Sequence, residues 1–174
     1  FGIISRLTHQ KGLDWVLQIA EGLLARGAQL CLLGTGESML EHAFRGLAAA
    51  NPGRVSATIG YDEGLSHRIE AGIDFFLMPS RFEPCGLNQM YSQRYGSLPV
   101  VHATGGLRDT VEDGVTGFVF GEASPQALWL AIERALTTYA DKPALKRMIA
   151  AAMSRDYSWE TSARAYSRLY ETLA

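Results

Sequence analysis

Phe75-Phe76-Leu77-Met78-Pro79-Ser80-Arg81-Phe82-Glu83-Pro84-Cys85-Gly86-Leu87 changes character in its middle, and that change decides the fold. Four consecutive apolar residues are too few for a helix and, lacking polar alternation, read as a strand buried on both faces. Pro79 ends the strand, and a loop dense in reactive side chains follows. The same unit recurs in both directions. Residues 2–5, 30–33, 55–59 and 98–101 are further short apolar runs, each closed by a polar or glycine-rich turn. Helical stripes separate them. Leu13, Val16, Leu17, Ala20, Leu23 and Leu24 form the first, stopped by Gly27. Met39, Leu40, Ala43, Phe44 and Leu47 form the second, ended by Asn51-Pro52-Gly53. A short helix is expected over 63–71, and another is expected to begin near Gly86. Apolar strands alternating with helices predict an α/β fold, a doubly wound parallel sheet covered on both faces.

After a last strand-like run at 117–120 the pattern becomes helical: 125–140, 142–155 and 159–173. Ser124-Pro125, Asp141-Lys142-Pro143 and Ser158-Trp159-Glu160 are their start signals. The expected organisation is one domain over 1–174, with a sheet core at 1–122 and a helical tail at 123–174. The final helix gathers Ala163, Tyr166, Leu169, Tyr170 and Leu173 on one face, which either packs on this domain or docks on a neighbour.

The chain has 174 residues, 47% hydrophobic and 20% charged, with a net charge of −2. That composition excludes a disordered segment. The charge gives no global attraction to nucleic acid or anionic lipid, and no apolar run approaches a membrane span. Cys31 and Cys85 are too few for a disulfide framework; Cys31, within an apolar run, reads as a buried core thiol. His9, His42, His67 and His102 have no metal-ligand spacing. The expectation is a reduced, cytoplasmic chain with neither metal nor cofactor. Its first residue is Phe, as in a piece of something longer.

In an open parallel sheet, ligands gather beyond the carboxyl ends of the strands. Arg6 and Lys11 follow the first strand and flank a helix start, where the helix dipole disfavours cations. They suit a phosphate or diphosphate, unless they are simply solvated. Gly34-Thr35-Gly36 is only part of a dinucleotide fingerprint and equally a tight turn. Tyr61 stacks on a base or caps the sheet edge. Glu83, stiffened by Pro84, accepts sugar hydroxyls or merely favours a helix start, while Gly86 lets a ligand approach the backbone. Cys85 has no sequence neighbour to activate it as a nucleophile. Thr104, Gly105 and Gly106 open a second amide-rich, flexible loop.

Taken together, S-R-L-T-x-Q-K-G at 5–12, I-G-Y at 59–61, P-S-R-F-E-P-C-G-L at 79–87, T-G-G-L-x-D-T-V at 104–111 and D-Y-S-W at 156–159 closely resemble the carboxyl-terminal domain of bacterial glycogen synthases and plant starch synthases. These are retaining glycosyltransferases of the GT-B type, with two Rossmann-like domains facing across a cleft. The resemblance implies ADP-glucose as donor and an α-glucan acceptor held mostly by an amino-terminal domain. It implies catalytic roles for Arg6 and Lys11 at the diphosphate and for Glu83 at the glucosyl hydroxyls. It places Tyr61 on the adenine, Cys85, Gly86, Leu87 and Asn88 around the sugar and distal phosphate, and Thr104, Gly105 and Gly106 beside the sugar. Many retaining GT-B enzymes carry a second Glu eight residues after the first; Tyr91 stands there, as the synthase branch generally allows, which leaves ribose recognition open. Asn88 replaces a common Thr. The expected function is that of a donor-binding half with little turnover of its own. Two other readings remain: a related enzyme using another donor such as UDP-glucose, and a non-catalytic nucleotide-binding module.

Overall fold

A computed structural model describes residues 1–173. Its strands are β1 (Gly2–Ile4), β2 (Leu30–Gly34), β3 (Val55–Ile59), β4 (Phe75–Met78), β5 (Leu98–His102) and β6 (Phe118–Phe120). Its helices are α1 (Leu13–Ala25), α2 (Ser38–Ala50), α3 (Glu63–Gly72), α4 (Asn88–Tyr95), α5 (Gly105–Thr110), α6 (Pro125–Ala140), α7 (Lys142–Met153) and α8 (Trp159–Glu171). The strands form one parallel sheet in the order β3-β2-β1-β4-β5-β6. The order reverses between β1 and β4, so the chain leaves those two neighbours toward opposite faces and a crevice opens beyond their carboxyl ends.

The apolar runs are strands because both sheet faces are covered. Along β4, Phe75 and Leu77 enter a core shared with Leu23 of α1, Phe44 of α2 and Ile132 of α6, while Phe76 and Met78 turn to a second cluster with Val101, Leu107 and Val111. Each such Phe or Leu removed from water is worth about 1.5–3 kcal/mol. Side chains cap three helix starts, and those of α6 and α7 fall at the expected start signals. Asp62 caps α3 by accepting from Leu65 N at 2.8 Å, Ser124 caps α6 through Ala127 N, and Asp141 caps α7 through Ala144 N. Among the described residues no helix is long and apolar enough to cross a membrane.

Four expectations are corrected. Helix α4 begins at Asn88 rather than near Gly86, because Gly86 has φ +74° and turns the chain instead. The segment read as a flexible loop at 103–109 contains most of α5, whose Leu107 is fully buried and pins the turn to the second cluster despite the glycine pair. Cys31 is half-buried rather than a fully enclosed core thiol, and burial pushes its pKa up. Local packing of the final helix is overturned: α8 buries no side chain, and Trp159, Tyr166, Leu169, Tyr170 and Leu173 are all exposed. A further short 3-10 turn, His9–Lys11, was not foreseen between β1 and α1.

Candidate functional site

The loops leaving β1 and β4 meet at the crevice and are laced together by their backbones. Arg81 N donates to Gln10 O at 2.8 Å, and Gln10 Nε2 donates to Phe82 O at 3.0 Å. The Arg81 guanidinium reaches both Asp14 carboxylate oxygens at 2.6 and 2.8 Å, stacks over Trp15 at 4.1 Å, and holds the Asp14 carboxyl below its ordinary pKa. Arg81 therefore fixes the loop to α1. Beyond β1 and β2 the zipper continues, with Leu7 N donating to Thr35 O and Glu37 N to Leu7 O. A Cβ on Gly34 would lie 1.9 Å from Ser5 O, and one on Gly36 2.3 Å from Leu7 O. The Gly34-Thr35-Gly36 segment is accordingly a tight turn demanded by close backbone packing.

This framework encloses a cavity of about 370 Å³ lined by Arg6, Lys11, Ser80, Glu83, Gly86, Leu87 and Asn88, among others. Lys11 Nζ and Glu83 form an ion pair with little solvent contact on either side chain. Ser80 Oγ donates to the same carboxylate at 3.2 Å, and the buried His102 ring faces Ser80 O at 3.0 Å. Arg6 is exposed and, among the described residues, has no salt-bridge partner. Asn88 Nδ2 donates to Ile4 O at 2.9 Å, tying the start of α4 to β1. The amides of Gly86, Leu87 and Asn88 have no acceptor among the described residues and lie at the helix end that favours anions.

A second cavity of similar size shares Ile4, Ser5, Arg6 and Asn88 with the first and extends to Tyr61, His67, Glu70 and Tyr91. Tyr61 is 86% exposed, its ring free at the edge of the sheet. The Glu70 carboxyl is buried, and desolvation pushes its pKa up to about 7.

Seven sequence candidates thus line one continuous crevice: Arg6, Lys11, Glu83, Gly86, Leu87 and Asn88 in the first cavity and Tyr61 in the second. Cys85, Thr104, Gly105 and Gly106 line neither. A Cβ on Gly105 would sit 2.1 Å from Glu83 O, and one on Gly106 2.2 Å from Cys85 O, while Gly106 N already donates to Glu83 O and Pro84 O at 3.2 Å. The glycine pair is the floor on which the Glu83–Cys85 backbone rests. Sequence reasoning missed Ser80, two residues past the end of β4, and Glu70, on a helix where no site residue was singled out.

A family model described as glycosyl transferases group 1 matches residues 1–155. A glycogen synthase of Anaeromyxobacter sp. (strain Fw109-5) is 56% identical over 99% of this chain and 37% of its own length. One from Xanthomonas campestris pv. campestris (strain 8004) is 51% identical over 100% of this chain and 37% of its own. The solved catalytic domain of starch synthase IV from Arabidopsis thaliana, bound to ADP and acarbose, is 38% identical with a TM-score of 0.90, covering 98% of this chain and 37% of that one. The chain spans little more than a third of the length of these relatives. A crevice at the switch point of a parallel sheet, a model match over most of its length and similarity to glycogen synthases throughout agree: the chain belongs to the group 1 glycosyltransferases.

Proposed function

We propose that this chain is the donor-binding lobe of an ADP-glucose-dependent α-1,4-glucan synthase. The observation that carries the reading is the convergence of Arg6, Lys11, Glu83 and the unbonded amides of Gly86–Asn88 on one crevice. Glucosyl transfer from a nucleoside diphosphate needs stabilisation of an anionic leaving group. Fixed cations and oriented amides supply it without reorganising as the bond breaks. Arg6, common to both cavities, lies where a diphosphate would pass from the nucleoside side to the sugar side. Tyr61 stacks on the adenine, and Glu83 accepts from glucosyl hydroxyls once Lys11 turns toward phosphate.

Glu83 is the only carboxylate lining the first cavity among the described residues. Retaining hydrolases commonly pair a nucleophilic carboxylate with an acid carboxylate about 5 Å away, and no such pair lines this cavity among the described residues. The reading is therefore front-face attack by the acceptor hydroxyl, its proton passing to the departing phosphate. The acceptor is held by the part of the longer protein outside this chain. That part makes up most of the relatives' length.

Isothermal titration of ADP into the chain tests the reading. Weak binding is expected, reduced roughly tenfold by Arg6→Ala, since one charge-assisted hydrogen bond is worth about 1.5 kcal/mol or more. Unchanged affinity removes the phosphate assignment, and UDP-glucose competing as well as ADP-glucose removes the donor assignment. Little glucose incorporation into glycogen is expected from the chain alone; robust turnover refutes the half-site reading.

A further inference from the structure

Helix α4 buries polar rather than apolar side chains: Gln89, Ser92 and Gln93 have no solvent exposure. Gln89 Nε2 lies 3.2 Å from Cys85 O, 3.1 Å from Gly86 O and 3.0 Å from Thr110 Oγ1, so its two hydrogens serve three acceptors, one hydrogen being shared. Thr110 Oγ1 in turn donates to Gly106 O. Gln93 Nε2 backs the arrangement by donating to Gln89 O at 3.0 Å and Thr110 O at 3.1 Å, and the Tyr157 hydroxyl closes it on Gln93 Oε1 and Thr110 O. Among the described residues Gln89 Oε1 is buried with no partner. An amide kept in such a place despite an orphaned oxygen is held for what its nitrogen does.

A trans peptide is planar, with its carbonyl and its N–H pointing in opposite directions. Drawing the Cys85 carbonyl inward turns the Gly86 N–H outward, and drawing the Gly86 carbonyl inward does the same for the Leu87 N–H. Both residues border the crevice: Gly86 and Leu87 line its first cavity. The space around the turn is also fully used. A Cβ on Gly86 would lie 2.5 Å from Gln89 Oε1, and Cys85 O lies where a Cβ on Gly106 would fall.

We propose that Gln89 is a positioning residue: by gripping the carbonyls of Cys85 and Gly86 from inside, anchored to Thr110, it aims the Gly86 and Leu87 amides at the distal phosphate of a nucleoside diphosphate. The ligand rests on the function proposed above; the aiming of the amides does not. Gln89→Met keeps the side-chain length and removes the donor. Thr110→Val, nearly isosteric, removes the anchor and is the milder variant.

Amide spectra of the isotope-labelled chain, recorded without ligand, test the geometry. The Gly86 and Leu87 resonances are expected to move or broaden in both variants, more in Gln89→Met, while resonances of β2 and β3 stay in place. Titrations then test the consequence. ADP affinity is expected to fall about tenfold in Gln89→Met and about threefold in Thr110→Val, with AMP affinity within twofold of the parent chain. A residue that only supports the fold would lower the melting temperature and weaken both nucleotides equally, and that result overturns the proposal. So do unmoved Gly86 and Leu87 resonances in a folded variant. Should Gln89→Met not fold, Thr110→Val decides by the same criteria. Absence of ADP binding by the unmodified chain refutes the nucleotide reading, and the ligand-free spectra still judge the positioning role.

Discussion

Lys11→Met removes a cation whose partner, Glu83, lies 72 residues away in the chain, and leaves that carboxylate in a largely enclosed site. The two side chains retain only 13% and 10% of their solvent exposure. Removing one member of a fully buried pair costs about 3–5 kcal/mol, because the remaining charge is neither hydrated nor paired. Here the adjoining cavity admits some water, and Ser80 Oγ still donates to the carboxylate at 3.2 Å. The expected cost is therefore about 2–4 kcal/mol for Lys11→Met, and roughly the same for Glu83→Gln, which strands the ammonium instead. The double variant removes both charges and strands neither, so its loss should fall about 2 kcal/mol short of the sum of the single losses.

For a domain of this length each kcal/mol moves the melting temperature by about 2–4 °C. Each single variant should then melt roughly 4–16 °C lower, and the double variant about 4–8 °C higher than additivity predicts. Thermal or urea unfolding followed by circular dichroism at pH 7 measures this. The same cycle on Arg26 and Glu133, an exposed pair, should give under about 1 kcal/mol of coupling. Additive losses at Lys11 and Glu83, within about 0.5 kcal/mol, would refute the argument that the free lobe stores these charges as a pair.

Two further outcomes follow from buried and unburied groups elsewhere. Burial raises the Glu70 carboxyl from 4.5 to about 7, against a weaker opposing pull from His67. The unfolded chain therefore releases this proton first as pH rises. Stability from this residue is intact below about pH 4.5 and drains away up to about pH 7, by a total of roughly 3 kcal/mol. Glu70→Gln should abolish that decline, so that urea unfolding shows the variant gaining on the parent chain between pH 4.5 and 8; an identical slope contradicts it. Ending the chain after Ser158 removes α8, which buries nothing, so the melting temperature should stay within about 2 °C of the parent. Gel filtration should show less self-association once the exposed Trp159, Tyr166 and Tyr170 are gone, and a larger thermal loss would mean that α8 is packed after all.

What could be read from the residues, and what could not, divides by range of interaction. Strands such as 75–78 and 98–101 were legible because unbroken apolar runs bounded by turn residues have few other uses, and their position in turn marked which loops border the crevice. Helix α5 was hidden because Gly105 and Gly106 look like punctuation, whereas their missing side chains make room for the Glu83 and Cys85 carbonyls. The Lys11–Glu83 pair was hidden because it forms only when β1 and β4 become neighbours. Nothing local marks Gln89 as a glutamine that faces inward. The amphipathic pattern of α8 was legible in the sequence, but a stripe of apolar residues carries no address for what it covers.

On the proposed reading, the charge balance of the crevice bears on why such a lobe would turn over little donor by itself. Arg6 and Lys11 bring two positive charges and Glu83 removes one, leaving a net of one. The amino end of α4 adds the equivalent of about half a charge. A diphosphate ester already carries two negative charges, and another develops on the leaving oxygen as the glycosidic bond breaks. In the free lobe that single net charge is the one on Arg6, because Lys11 is occupied by Glu83. On the proposed reading, binding of the donor frees the cation that the departing phosphate requires, and donor recognition and leaving-group stabilisation draw on the same lysine. That coupling limits the side-chain charge of the empty site to a net of one. On the proposed reading, it also leaves the transition state short of positive charge unless the rest of the longer protein closes over the crevice with donors of its own.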